Sequence, residues 1–386
     1  MNDSVKFSYM GTAKVTAHRG AGNLLGEIAS RYGSRAFVIV SRSVSEYPCF
    51  QEAFGSVKER LSACLYPYSA GEPSPKGVKQ ATAAAEAFGA DVVIGIGGGS
   101  VLDLGKAVSA LVPNGGSVVD YLEGVGTGAR LKKDPLPLIA LPTTSGTGSE
   151  VTKNAVITDT ERGYKKSLRD VRLVAKEVVI DSEFLVGAPL SVSVYSGFDA
   201  LTQLIESYTS NKANVASRLV CKKGLCYARV LPEIYRDPGN HAYREEMAWA
   251  ALLSGVCLAD TGLGAVHGIA ASVGAHTGEG HGKVCAVLLP HVMRVNMAVS
   301  RLQYAEIARI LFGEEEVGAD GLVQKIANMA LKMGVPRDFR YLDVSETRFE
   351  RILSDIYGSS MRYNPVSLVR EEWERVLRPL FFCEAE

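Results

Sequence analysis

Four of the six histidines fall within 25 residues: His267, His276, His281 and His291. Imidazoles bind transition metals, exchange protons near neutral pH and, when buried, need a partner. His267 lies in the almost wholly apolar segment LGAVHGIAASVGA, so its ring is expected to be buried. His281 stands between Gly280 and Gly282, where a loop or helix end can turn it inward. A satisfied core histidine is one reading of His267. A second imidazole fourteen residues on puts a metal site on level terms with it. Asp199 and Gln203, four apart in a helix expected to open near Ser196, share one face. A carboxylate and two imidazoles form a workable set for Fe(II) or Zn(II) with a position left for substrate. On spacing alone, an acid in the first helical turn, favoured by the dipole, is the better account of Asp199.

A second kind of chemistry is suggested by Ile96-Gly97-Gly98-Gly99-Ser100-Val101-Leu102-Asp103-Leu104-Gly105-Lys106. An apolar strand-like run ends, three glycines follow and a helical pattern begins. Such a turn lets backbone approach a phosphate and aims a helix N-terminus at it. It matches neither GxGxxG nor GxxxxGK[ST], and a ligand-free strand-to-helix turn is the competing reading. The segment 141–150, LPTTSGTGSE, also follows an apolar run and carries five hydroxyls, Thr143, Thr144 and Thr147 among them. Phosphate and ribose binding, or an ordinary Ser/Thr turn capping the next helix, suit it equally.

These groups need elements to hold them. Residues 36–40 (AFVIV), 91–96 (DVVIGI), 136–140 (LPLIA) and 177–180 (EVVI) read as strands buried on both faces of a parallel sheet, with an Ala-rich helix at 76–88. From about residue 185 helical spacing takes over, at 194–209, 217–234, 243–257 and 302–311. The expected architecture is an α/β Rossmann-like domain over 1–187 and an all-α domain over 188–386. The length of 386 residues suits two domains. Lys plus Arg and Asp plus Glu both number 42, leaving no basic excess for nucleic acid or an anionic membrane. Seven scattered cysteines, without paired spacing, read as reduced thiols in a cytoplasm. MNDSVKFSYMG lacks the pattern of a signal peptide. The apolar stretch 250–275 carries Asp260 near its middle and reads as a pair of buried helices rather than a membrane span.

The chain resembles the iron-containing (group III) alcohol dehydrogenase family. The resemblance rests on Gly97-Gly98-Gly99-Ser100 with Asp103 and Lys106, on PTTSGTGSEVT at 142–152, on GFDALTQLIESY at 197–208, and on GAVHGIAASVGA, GHG and LLPHVM within 264–293. It implies the dehydroquinate synthase-like fold of that family and a cytoplasmic enzyme, a homodimer or larger, passing a hydride between NAD(P)(H) and a small alcohol or aldehyde. It implies phosphate contacts at Gly97, Gly98, Gly99 and Ser100, with Asp103, Thr143, Thr144 and Thr147 also at the cofactor and Lys165 near its ribose. It implies metal ligands at Asp199, His267 and His281. Two departures bear on chemistry. Gln203 fills the position of the family's second metal ligand, and an amide is the poorer donor for Fe(II) or Zn(II), so the metal is expected to be weakly held, of different identity, or absent. Ala271 replaces a proton-handling histidine, and His276 is the candidate to stand in for either missing imidazole. At the end of the second expected strand, Ser41 and Arg42 stand where NAD-using members often have an aspartate, which favours NADP(H) over NAD(H). The alternatives are a metal-independent reductase like the maleylacetate reductases and a nucleotide-binding protein without turnover.

Overall fold

The computed structural model describes residues 14–69, 71–313, 317–357 and 360–383. Two compact units are present. Among the described residues, one holds those up to Leu190 together with Asp237–Ala248, and the other holds Ser191–Arg236 and those from Trp249 onward.

The first unit contains strands β1 Lys14–Ala17, β2 Arg35–Ser41, β3 Ser62–Tyr68, β4 Val92–Gly97, β5 Leu138–Pro142, β6 Asn154–Asp159, β7 Tyr164–Arg169 and β8 Glu177–Ile180. Six of them form one sheet in the order β1-β8-β5-β4-β2-β3, with every pairing parallel. β6 and β7 form a separate antiparallel hairpin. The four runs expected as strands are β2, β4, β5 and β8, and all six residues of β4 are buried, as a strand covered on both faces requires. The two edge strands carry a weaker signal. β1 has four residues, and β3 (SACLYPY) mixes polar positions with Pro67, which an edge can accept because one side needs no ladder donor.

Between β3 and β4 the helix Pro75–Phe88 starts on Ser74, whose hydroxyl accepts from the Gly77 N–H, and stops at Gly89 in the left-handed region. One face of the sheet packs Val38, Val40, Ile94, Ile96, Ile139 and Leu141 against Leu25, Phe50, Val57 and Phe184. The sequence order of neighbours reverses between β2 and β4. In open α/β sheets ligands bind beyond the carboxyl ends of the strands at such a switch point.

The second unit holds no strand among the described residues. Three helices matter here: Leu190–Thr209, Ala265–Thr277 and His281–Phe312. The expected helix over 217–234 is two, Val215–Ala228 and Leu231–Arg236. The expected helix over 302–311 is only the last third of His281–Phe312, which carries Pro290 inside it. The apolar stretch 250–275 is divided between His241–Thr261 and Ala265–Thr277, bent by 102° from one another. No single helix among the described residues is long and apolar enough to cross a membrane.

Candidate functional site

The helix bearing Asp199 begins at Leu190, two and a half turns before it. Asp199 is therefore a mid-helix carboxylate, and the first-turn account of it fails. Asp199, Gln203 and Glu206 lie four and then three residues apart on one face and are 2, 3 and 5% exposed. A buried carboxylate needs partners, and these come from the two later helices.

His267 is the third residue of Ala265–Thr277. Its Nδ1 lies 2.6 Å from Glu206 Oε2, and its Nε2 lies 3.2 Å from Asp199 Oδ1. Glu206 also accepts the backbone N–H of Gly264 at 2.9 Å and of Val266 at 2.6 Å, so one carboxylate both caps this helix and orients the ring. His281 opens the helix His281–Phe312, its Nε2 3.7 Å from Asp199 Oδ1. The next residue must be glycine. A Cβ on Gly282 would lie 2.4 Å from the Tyr195 carbonyl oxygen, one turn before Asp199, so any side chain would push the helix start away. The two imidazole centroids are 5.3 Å apart. One turn beyond His281, Cys285 brings its sulfur 3.7 Å from His281 Nε2.

Donor atoms of Asp199, His267, His281 and Cys285 all lie within 4.8 Å of one another. Donors about 2.0–2.3 Å from a shared tetrahedral ion are ~3.3–3.7 Å apart. The pairs at 3.2, 3.7 and 3.7 Å match that edge length, and the set fits a divalent transition metal.

Burial opposes charge on Asp199, but the hydrogen bond from His267 and the nearby imidazoles outweigh it and hold the carboxyl below its ordinary range. Burial opposes charge on His267 as well. The carboxylates of Glu206 and Asp199 on its two sides win, pushing its pKa up to about 9. Gln203 does not offer its oxygen to this cluster. Its Oε1 accepts from the Ser254 hydroxyl at 2.6 Å, and its amide donates to Asp199. His276 takes no part either. It lies nine residues beyond His267 along the same helix, ~13.5 Å of rise, and its Nε2 meets Asp355 at 2.7 Å. Ala271 is half-buried.

In the sheet unit, the glycine turn and the threonine loop meet. Gly97 and Pro142 are in register at the ends of β4 and β5, and the Thr143 N–H donates to the Gly97 carbonyl at 3.0 Å. Gly98 caps the helix Gly99–Asn114, with Ser100 in its first turn. A Cβ on Gly98 would come to 3.2 Å from Thr144 Oγ1, and one on Gly99 to 2.8 Å from the Thr147 side chain, so the two segments touch through missing side chains. Asp103 faces protein donors instead of open space: its oxygens accept from the Ser149 hydroxyl at 2.5 Å and the Val156 N–H at 3.0 Å. Lys106, fully buried, reaches Ser149, Thr152 and the Asn154 carbonyl at 2.7–3.0 Å. Together they tie the helix after the glycines to the threonine loop and to β6. Lys165, on β7, is ion-paired with Glu72. Arg42 follows β2, exposed, its N–H donating to the Tyr68 carbonyl at 2.9 Å. Among the described residues its guanidinium forms no ion pair. The Ser41 and Ser43 hydroxyls are 3.1 Å apart.

Comparison with known proteins places this fold. The family profile for iron-containing alcohol dehydrogenases matches residues 12–182, and that for the family's C-terminal part matches 193–381. Alcohol dehydrogenase 4 of Saccharomyces cerevisiae is 30% identical over 326 residues, 83% of this chain and 84% of that protein. The chain belongs to the iron-containing alcohol dehydrogenase family. The 1,3-propanediol dehydrogenase of Klebsiella pneumoniae is 32% identical over 288 residues, 72% of this chain and 73% of its own length. A crystal structure of a 1,3-propanediol oxidoreductase superposes with a TM-score of 0.91 at 25% identity, covering 97% of this chain and all of that one.

For an iron-containing alcohol dehydrogenase, the site holds three residues that sequence reasoning passed over. Glu206 is seven residues beyond Asp199 and so on its face, and Cys285 is four beyond His281. Both spacings were available signals. Ser254, which turns Gln203, carries none.

Proposed function

We propose that this chain is an alcohol dehydrogenase or aldehyde reductase that uses NADP(H) in preference to NAD(H) and a divalent metal ion. The observation that carries the reading is the convergence of Asp199, His267 and His281, from three helices, onto one largely buried point with donor spacings suited to a transition metal. A divalent ion held there, Fe(II) or Zn(II), supplies Lewis-acid polarisation of the substrate oxygen. Asp199 provides the anionic donor. Glu206 fixes the His267 ring so that Nε2 faces the ion, and Gly282 lets His281 come close enough to share it. Metal binding must displace the proton that His267 holds up to about pH 9.

On the nucleotide side, Gly97, Gly98 and Gly99 leave room for the pyrophosphate at the start of the helix carrying Ser100, with Thr143, Thr144 and Thr147 supplying hydroxyl and backbone donors. Asp103 and Lys106 act by holding these two segments together. Lys165, paired with Glu72 in the structure, would have to exchange that carboxylate to meet the ribose from the hairpin. Arg42, at the end of β2 beside the strand-order reversal, faces the 2′-phosphate. A relative from Bacillus methanolicus is named as an NAD-dependent methanol dehydrogenase, so the cofactor preference rests on Arg42 and not on kinship. A charge-assisted contact of this kind is worth about 1.5–3 kcal/mol, or roughly ten- to a hundredfold in affinity.

The test is aldehyde-dependent oxidation of NADPH and NADH, with and without a chelator, beside elemental analysis. Turnover with NADPH that disappears on chelation and returns with added metal is the expected result. Equal affinity for the two cofactors, unchanged in Arg42→Asp, would remove the NADP(H) assignment. One observation favours a second reading. His267, flanked by two carboxylates, is an imidazolium at neutral pH in the metal-free protein. A metal-independent reductase would use such a group to polarise a carbonyl, and chelation would then leave turnover unchanged.

A further inference from the structure

We infer that Cys285 is the fourth protein ligand of the metal, giving an Asp-His-His-Cys site in place of one completed by residue 203. The inference rests on the metal-binding reading above and adds the identity of the fourth donor. Two independent observations carry it. First, Gln203 has its oxygen engaged elsewhere: the Ser254 hydroxyl donates to it at 2.6 Å, which leaves the amide N–H end toward Asp199. Second, the Cys285 sulfur is buried and lies with the other three donors, of which Asp199 and His267 are buried and His281 half-buried. It is the only soft donor in that group, not engaged in a disulfide, and 3.7 Å from His281 Nε2, which is a tetrahedral edge.

The backbone explains why these two donors travel together. His281 and Cys285 are one turn apart at the start of His281–Phe312, so the approach that Gly282 permits brings both in. On ligation the thiol gives its proton to solvent and the sulfur binds as thiolate, cancelling one more positive charge than Gln203 could. A thiolate beside two imidazoles and a carboxylate shifts preference toward Zn(II) and away from hard cations such as Mg²⁺.

The experiment loads the purified, metal-stripped full chain with Zn(II) or Co(II) alone. Zinc X-ray absorption of the wild-type protein should show one sulfur at about 2.3 Å beside nitrogen and oxygen at about 2.0–2.1 Å. The Co(II) form should show a thiolate-to-metal charge-transfer band in the near ultraviolet, absent in Cys285→Ser and retained in Gln203→Ala and in Cys226→Ser, which alters an exposed thiol. Zn(II) affinity should fall by at least about 100-fold in Cys285→Ser, since even groups that only orient a ligand are worth 10- to 100-fold. The wild-type absorption measurement needs no variant and stands if Cys285→Ser fails to fold. Bound zinc with only nitrogen and oxygen neighbours, or a charge-transfer band that survives Cys285→Ser, overturns the inference while leaving the metal reading intact. No bound metal in any form overturns both.

Discussion

The glycine turn and the donor cluster are built in opposite ways. At the turn, Gly98 and Gly99 act by what they lack: two short segments at the ends of neighbouring strands close on each other because no side chain intervenes. In the cluster, every group is a side chain. Asp199, His267, His281 and Cys285 come from three helices and meet only because Glu206, Gly264 and Gly282 set how the two later helices start. A backbone-built site is contiguous and survives most substitutions outside the turn. A side-chain-built site fails with any one member, because the charges left behind are buried.

The largest effect should follow His267→Ala. It removes one donor and strands the Glu206 and Asp199 carboxylates, so bound metal and aldehyde turnover should both fall by more than about 100-fold. NADPH affinity should stay within about threefold of wild type, because the two sites are chemically separate. Fluorescence titration beside metal analysis checks this, and a parallel collapse of NADPH binding would break the comparison. The reciprocal change is Gly99→Ala. Its Cβ would sit 2.8 Å from Thr147, and overpacking of that kind costs about 1–3 kcal/mol, roughly 5- to 150-fold in nucleotide affinity. Metal content should not change. If Gly99→Ala binds NADPH normally, the triple glycine is a turn and nothing more.

Smaller effects sharpen the contrast. Glu206→Gln keeps the shape of the group that orients His267 but weakens its hold, and should lower metal affinity 10- to 100-fold while a saturating metal concentration restores turnover. Unchanged affinity would mean the carboxylate serves only to cap the helix Ala265–Thr277. The smallest effect is on pH dependence. The folded, metal-free protein holds the His267 proton up to about pH 9, against 6.5 for an ordinary histidine. The stabilisation this brings is full below about pH 6.5 and is lost as pH rises through about 9. Melting temperature of the metal-stripped protein should therefore decline across that window, and Glu206→Gln should flatten the decline. A wild-type profile that is flat from pH 6.5 to 9 would show that His267 is not sandwiched as described.

Much of this molecule is determined locally. Continuous runs such as VVIGIG and EVVI must be covered on both faces, so they read as central strands without knowledge of their neighbours. The glycines after β4 announce a close approach for the same reason: the information lies in adjacent residues. The identities of Asp199, His267 and His281 were legible as chemistry, and the family motifs around them tied them together. Tertiary structure decided the rest. Edge strands β1 and β3 answer to one neighbour each and leave little pattern. His276 has the right residue type, but three-dimensional placement commits it to Asp355. Gln203 is spaced for ligation, yet Ser254, 51 residues away, turns its oxygen aside. Which polar atom of a buried side chain faces a site depends on partners distant in sequence. A pattern of spacing along one helix carries no record of them.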